Sequence, residues 1–464
     1  MKNTLIIPVE NQVREFDPKL LLACIAARRG FSAMIGSRWE IDNRIASFPR
    51  SVYLSKSMTA RGGKMLRIMH KVGHEIVAWD EEALVHLPPE TFFSRRISPT
   101  GIKHVSHLFA WGQDNADLWR QYPKLSPEIP IHITGNPRGD MLRPEMRDFY
   151  AKEIRELHQA YGDFILINTN VNHVNAFYPH QNLFMPVKRP GEEPRFGKAA
   201  RGMSREFAEG LRAHKQAVFN DFKQLIPSLA ETFPDRTLIV RPHPTENHEV
   251  YRKISATCER VRVINEGSVV PWLLAAKVLV HNGCTTGVEA YAMRVPAITY
   301  RKSVNEYYDN GFYRLPNLLS HQCFNFEELR LTMDKIFNDE LGAAGGEERQ
   351  SSIDHYLAAQ DGPLACERIV DVLEKMMQGR PDLPKPALLD WLEGWSIANG
   401  RRMVKGLWSY LPNNHNRMEF QRHRFPGISL DALNEKIARI QQLLGEDNKF
   451  KVEQLSDVLF QIRA

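Results

Sequence analysis

Short apolar runs alternate with helical patterns over the first 140 residues. Runs at 5–9, 32–35, 52–54, 76–79, 107–111 and 131–134 have the length and composition of strands, and the stretches at 20–29, 65–72 and 115–122 carry apolar residues at helical spacing. That rhythm predicts βαβ units, and six such strands make a doubly wound sheet with helices on both faces. The turn-rich segment Thr134-Gly135-Asn136-Pro137-Arg138-Gly139-Asp140 and a helical pattern at 149–161 read as the connection to a second module. There the alternation resumes, with runs at 164–167, 237–240, 262–264, 278–281 and 297–300. Its longest helix carries Val218, Phe222, Leu225 and Leu229 on one apolar stripe, with Pro227 expected to kink it.

Between strand and helix of the second module, residues 180–201 are rich in Pro, Gly, Lys and Arg and read as a long, mobile loop beside a cleft, or else as an insertion without a role. Glycines and acids at 339–350 mark a break before a helical C-terminal region. The domains expected are therefore 1–145, 160–340 and 350–464. Open α/β sheets bind ligands outside the carboxyl ends of their strands, so two facing sheets would hold one substrate each across a cleft.

With 464 residues, 43% hydrophobic and 25% charged, the chain is long enough for two or three packed domains, and disorder, collagen and coiled coil are excluded. The net charge of +6 is too diffuse to imply nucleic-acid binding but suits anionic ligands or an anionic lipid surface. Five scattered cysteines without a CxxC pair fit a reducing cytoplasm better than a disulfide framework or a zinc ribbon. The apolar run at 5–9 is too short for an export signal, and no stretch approaches the length of a spanning helix, so any membrane contact is expected to be peripheral. His132, His173, His180, His243, His248 and His281 are scattered with no HExxH, which predicts no metal; a GxSxG elbow, a Walker A loop and an early GxGxxG are all missing.

Candidate chemistry lies at strand exits. Arg241-Pro242-His243-Pro244 follows an apolar strand, and a turn stiffened by two prolines can hold an imidazole and a guanidinium against a phosphate leaving group; alternatively the prolines only end the strand. The run His281-Asn282-Gly283-Cys284-Thr285-Thr286-Gly287-Val288-Glu289 passes from strand through a glycine turn into a helix. It reads as a phosphate cradle of backbone N–H groups and threonine hydroxyls with Glu289 in reach of a ribose, or as a plain helix cap. In the first module, Asp80-Glu81-Glu82-Ala83 crowds three carboxylates at one exit, which should raise a pKa toward that of a general base, or else is a surface acidic cluster. Glu10, and the polar run Asn168, Thr169, Asn170, Asn172 and His173, are further candidates for binding a sugar.

Taken together, VENQVREFDPKLLLACIAARRG, HEIVAWDEEALV, HLFAWGQDNADLW, HITGNPRGDMLRPE, DFILINTN, RPHP, HNGCTTGVEAYAMRVPAITYR and YLAAQDGPLACERIVDVL resemble the bacterial surface carbohydrate biosynthesis protein family over most of the chain. The resemblance implies a GT-B glycosyltransferase fold, distantly similar to transferases that use CMP-activated Kdo or sialic acid. In such sialyltransferases an HP motif contacts the CMP phosphate and an acidic pair followed by glycine supplies the base; His243-Pro244 matches the first and Glu81-Glu82 the second, with Ala83 in place of the glycine. A carboxylate nucleophile, as in retaining Kdo transferases, is missing after residue 167.

The expected function is therefore transfer of a sugar, Kdo-like and CMP-activated, to a glycan or lipid-linked glycan acceptor of O-antigen or capsule, without metal or cofactor. Arg241, His243, Pro244, Asn282, Gly283, Thr285, Thr286 and Glu289 would hold the nucleotide; Glu10, Asn168, Asn170 and Asn172 would bind sugar; Glu81, Glu82 and His243 would be catalytic. Trp391, Trp395, Trp408 and Tyr410 among basic residues at 401–424 suit an anionic bilayer, or a helix that packs back on the first domain. Rivals are a CDP-alditol phosphotransferase, a nucleotide-sugar 2-epimerase and a catalytically silent GT-B scaffold that binds a glycan.

Overall fold

Runs that are apolar at every position suit strands covered on both faces, as in parallel sheets. The computed structural model describes residues 4–464 apart from 188, 190, 310–312, 379–381, 412, 413, 415 and 446–449, and apart from the side chain at 61. In it these runs become β1 (Thr4–Val9), β2 (Ser32–Ser37), β3 (Ser51–Ser55), β4 (Glu75–Ala78), β5 (His107–Ala110), β6 (Ile131–Ile133), β7 (Phe164–Thr169), β8 (Thr237–Pro242), β9 (Val261–Val263), β10 (Val278–His281) and β11 (Ala297–Tyr300). Three further strands, β12 (His321–Cys323), β13 (Lys451–Ser456) and β14 (Leu459–Arg463), complete two sheets.

The chain divides into two compact units, Met1–Phe149 with Asp354–Ala464, and Tyr150–Ile353. In the first unit the strand order is β13-β14-β2-β1-β3-β4-β5-β6, parallel except for the terminal hairpin, and winding reverses between β1 and β3. In the second it is β12-β11-β10-β7-β8-β9, all parallel, with the reversal between β7 and β10. Each reversal opens a crevice at the carboxyl ends of the two strands beside it.

The C-terminal region is tied into the first unit by specific polar contacts. The helix Ala365–Met377 starts on the buried Asp140, whose carboxylate accepts from the N–H groups of Ala365 (2.7 Å) and Cys366 (2.9 Å). Burial pushes that carboxyl up to about 6 although both amides pull it back. Arg143 donates to the carbonyls of Ala359 and Gly362 at 3.0 and 2.8 Å, and the Ala358 N–H to that of Trp111 at 2.8 Å. The helix Leu388–Trp408 lays Gly394 and Ala398 on the helix Ala60–Lys71, so closely that a Cβ at Gly394 would stand 2.8 Å from the Lys71 Cβ. The helical extension thus packs back, and it closes with the β13–β14 hairpin, which pairs antiparallel with β2. Lysine, glutamate and glutamine in β13 hide that hairpin from a reading by apolar runs.

The helix Arg205–Thr232 carries Pro227 inside it and continues past it for a further turn. The segment 180–201 is a long, largely exposed loop as expected, but it is anchored: Leu183, Phe184 and Ala200 form a small core with Ala208 and Leu211, and a cavity of about 250 Å³ lies beside it, lined by His173, Phe184, Met185, Arg212 and others. Positions 188 and 190 of that segment lie outside the described residues.

Gly36 in β2 allows the hairpin to dock, since a Cβ there would stand 2.2 Å from the Val458 carbonyl. Gly36→Ala is expected to cost about 1–3 kcal/mol through overpacking, read as a lower urea midpoint. Gly400→Ala, where nothing lies within 4 Å, should be neutral or gain up to about 1 kcal/mol from helix propensity.

Candidate functional site

The reversal in the second unit brings together the exits of β7, β8 and β10. Glu246, fully buried, joins two of them: it accepts from the hydroxyls of Thr169 (3.0 Å) and Tyr251 (2.7 Å), from Val171 N–H (2.9 Å) and, at 3.4 Å, from His243 N–H. Burial raises its carboxyl despite these donors. Asn282 joins β10 to β7, its Oδ1 accepting from the Asn170 N–H at 2.8 Å. His243 is half-buried at the same edge. Its Nδ1 accepts from the Thr245 N–H (3.3 Å) and lies 2.8 Å from the Thr245 hydroxyl, which leaves the neutral ring's proton on Nε2, where it can be donated. Asn172 Nδ2 donates to the same hydroxyl at 3.1 Å, and Pro244 is exposed beside it.

Asn168 Oδ1, Asn282 Nδ2 and Thr286 Oγ1 are buried at the β7/β10 reversal and make no hydrogen bond among the described residues. An unmatched buried polar atom costs about 1–3 kcal/mol, so an acceptor, a donor and a hydroxyl held at one crevice mark where a polar ligand would be matched.

Two details correct the sequence reading of this edge. The amides of Gly283 and Cys284 do not point at an anion, because His281 Nδ1 accepts both at 3.0 and 3.3 Å. His281 is fully buried and 2.8 Å from the Ser320 hydroxyl, and burial holds its ring down to about 3, so it stays neutral. The helix that follows, Thr286–Ala292, has only 7 residues, and Thr285 makes no side-chain cap, so neither a strong dipole nor a threonine cap accounts for the turn. Gly283 itself is required: its φ is +82° and a Cβ would stand 2.5 Å from the Tyr313 ring. Glu289 is buried one turn into that helix.

Arg241 is likewise committed. Its Nη1 and Nη2 donate to the carbonyls of Glu266 and Gly267 at 2.9 and 3.1 Å, and its guanidinium stacks 4.8 Å from the Trp272 ring centroid. Burial lowers it to about 10. Two of its five N–H donors thus hold the loop after β9.

In the first unit, the reversal between β1 and β3 holds a network of buried charge. Lys56, just after β3, pairs with Glu10 (3.0 Å), just after β1, and with Glu15. Lys19 donates to Glu15 (2.8 Å) and the Pro8 carbonyl (2.9 Å) and lies 3.3 Å from Glu81. Glu10 also binds Arg38 (3.2 Å) and, from the C-terminal region, Arg424 (2.6 Å). Burial alone would raise Glu10, but Lys56, Arg38 and Arg424 hold it well below the usual carboxylate range.

The acids after β4 differ from one another. Glu81 is buried, bonded by Trp79 Nε1 at 2.9 Å and paired with Lys19. Glu82 reaches solvent but forks onto Arg14 (2.8 Å); desolvation pushes its carboxyl up, and the charges of Arg14 and Arg138 outweigh that and bring it to about 2. Asp80 is raised, by burial and against its Arg96 pair, which is the raised carboxyl expected at this exit. At Glu82, cations that lie far off in sequence override the carboxylate crowding. Ala83 needs no glycine-only backbone, since its φ is not positive.

Sequence reading missed Glu246, the Glu15–Lys19–Lys56 core and Lys215. The last had a signal: Lys215 falls three residues before Val218 on the apolar stripe of its helix.

No family model matches the chain, and neither does any curated protein. Solved structures do. The wall teichoic acid polymerase TagF superposes with a TM-score of 0.52 at 12% identity, over 82% of this chain and 90% of that one. A variant of TagF soaked with CDPG gives 0.50 at 12%, over 82% and 89%. A Methanocaldococcus jannaschii UDP-GlcNAc 2-epimerase in complex with UDP-GlcNAc and UDP gives 0.49 at 12%, over 80% and 99%. The fold is thus of the GT-B class, with two Rossmann-like domains and a C-terminal extension. At such identities the likeness carries the fold and not the reaction.

Glu15→Gln is expected to cost about 3 kcal/mol at pH 7, because buried Lys19 and Lys56 lose the carboxylate they share and keep only Glu81 and Glu10. Burial would raise Glu15, but the two lysines hold it well below its ordinary 4.5. Its contribution is therefore complete above pH 4.5 and lost as pH falls toward the folded value. Urea titrations across pH 3–7 should show wild type losing stability below 4.5 and the variant losing less; parallel curves would refute the account.

Proposed function

We propose that the protein is a glycosyltransferase of bacterial surface glycan synthesis, using a CMP-activated, Kdo-like donor and needing neither metal nor cofactor. The single observation that carries this is the set of unmatched polar atoms at the β7/β10 reversal, Asn168 Oδ1, Asn282 Nδ2 and Thr286 Oγ1, next to an imidazole whose Nε2 proton can be donated. In this reading Asn282, Gly283, Thr285 and Thr286 line the nucleotide's phosphate, Glu289 meets the ribose, and Asn168, Asn170 and Asn172 meet the sugar. His243 Nε2–H stabilises the charge that grows on the departing phosphate, with Pro244 fixing the turn. Arg241 positions the loop after β9.

The acceptor, a glycan or lipid-linked glycan, falls to the first unit's strand ends. Glu10 and Glu81 orient the cations there. Glu82, the member of the acidic pair that reaches solvent, is the one able to take a proton from an acceptor hydroxyl, once the acceptor displaces Arg14. A second reading is transfer of an alditol phosphate, favoured by the fold shared with TagF, one of whose structures is a CDPG soak. The mass of the product separates the two, since only the second adds phosphorus to the acceptor.

Peripheral contact with an anionic bilayer completes the proposal. No helix among the described residues is long and apolar enough to cross a membrane. Yet the outward side of Leu388–Trp408 exposes Leu388, Leu389 (80%), Leu392, Trp395, Met403 (72%) and Leu407. Exposed Arg402 stands beside them, while the helix acids Asp390 and Glu393 are neutralised by Lys71 and Arg67. Apolar surface edged by unopposed positive charge fits anionic headgroups.

His243→Ala should keep the wild-type melting temperature and lose roughly 10²–10³-fold in kcat with CMP-sugar donors, as for loss of one charge-stabilising donor; undiminished turnover would end the assignment. Phosphatidylglycerol vesicles should sediment the wild type but not the Leu389→Glu, Leu407→Glu pair. Equal binding by the variant, or a dimer burying this face, would refute the bilayer contact.

A further inference from the structure

The apolar stripe of the helix Arg205–Thr232 faces the core through Leu211, Phe219, Phe222, Leu225 and Leu229, and Lys215 stands on the same stripe, 3% exposed. Among the described residues its ammonium has no hydrogen bond and no ion pair. It rests 3.5 Å from the centroid of the Tyr313 ring. Asp309 acts on it from beyond ion-pair distance and is itself bound by His214 (2.8 Å) and Arg301 (3.2 Å). Burial drives the Lys215 ammonium down to about 7, so its charge there is costly.

Tyr313 is the ring that forbids a side chain at Gly283. Ammonium, ring and glycine turn are therefore contiguous. At that turn the amides of Gly283 and Cys284 are already taken by His281. A lysine buried on an apolar stripe, with no ion pair among the described residues and with only the more distant Asp309 to offset its charge, has the means to take up an anion.

We infer that Lys215, seated on Tyr313, receives an anionic oxygen of the donor at the Gly283 turn. This rests on the nucleotide-sugar reading of the same crevice, which it deepens by naming the charge partner. The oxygen belongs either to the nucleotide phosphate or to the carboxylate of an acidic sugar.

The test uses the full chain and Lys215→Met, which matches the side chain in length and removes a buried charge. Its melting temperature should equal or exceed that of wild type. Calorimetric titration with cytidine, CMP and CMP-N-acetylneuraminate separates the sources. If the phosphate is the partner, CMP affinity falls roughly ten-fold or more while cytidine is unaffected. If the carboxylate is the partner, CMP is unaffected and only the CMP-sugar weakens. Unchanged affinity for both overturns the inference.

Should wild type bind no nucleotide, pyrophosphate decides: a thermal shift present in wild type and absent in Lys215→Met upholds the anion seat while the donor reading falls, and no shift in wild type overturns the seat. If the variant does not fold, competitive acylation of wild type read by mass spectrometry takes its place. Protection of Lys215 by CMP, by the CMP-sugar or by pyrophosphate supports the inference, and labelling unaltered by all three contradicts it.

Discussion

Between β7 and β10 the second sheet reverses its winding, and the loops that leave the two strands part company. The polar groups at those exits lose the neighbours that would have matched them. Glu246 and Asn282 span the gap and fix the backbone on either side, yet Asn168, Asn282 and Thr286 each keep a buried polar atom with no partner among the described residues. A chain that tolerates several such atoms in one crevice gives up stability there. The functional reading depends on that local deficit.

The two units handle charge at their strand ends in opposite ways. In the first, every buried acid of the β1/β3 crevice meets a cation, and the network extends to Arg424 from the far end of the chain. In the second, Glu246 is surrounded by neutral donors and Lys215 by an aromatic ring. A saturated network is rigid and positions what binds at its rim; an unsaturated one has room for the charge of a ligand.

Eleven of the strands were legible because parallel strands buried on both faces are written as continuous apolar runs. The hairpin β13–β14 was not, because an edge strand of alternating polar residues has the composition of a loop. His243 and Asn282 could be placed at one edge from their strand exits alone. The fates of Arg241 and of the Gly283 amide could not: the carbonyls of Glu266 and Gly267 and the His281 ring that capture them are set by loop geometry, which carries no periodic signal. The lowering of Glu82 was hidden for a related reason, since Arg14 and Arg138 lie far from it in sequence and close to it in space. Lys215 was legible in principle, as a charge on an apolar stripe.

The most direct measurement is a crystal of the full chain soaked with CMP and solved with the nucleotide in place. The account predicts density at the carboxyl ends of β7 and β10, with phosphate or ribose oxygens within hydrogen-bond distance of Asn282 and Thr286. A nucleotide seated elsewhere, or Asn168, Asn282 and Thr286 found matched by ordered water with no ligand able to displace it, would contradict it.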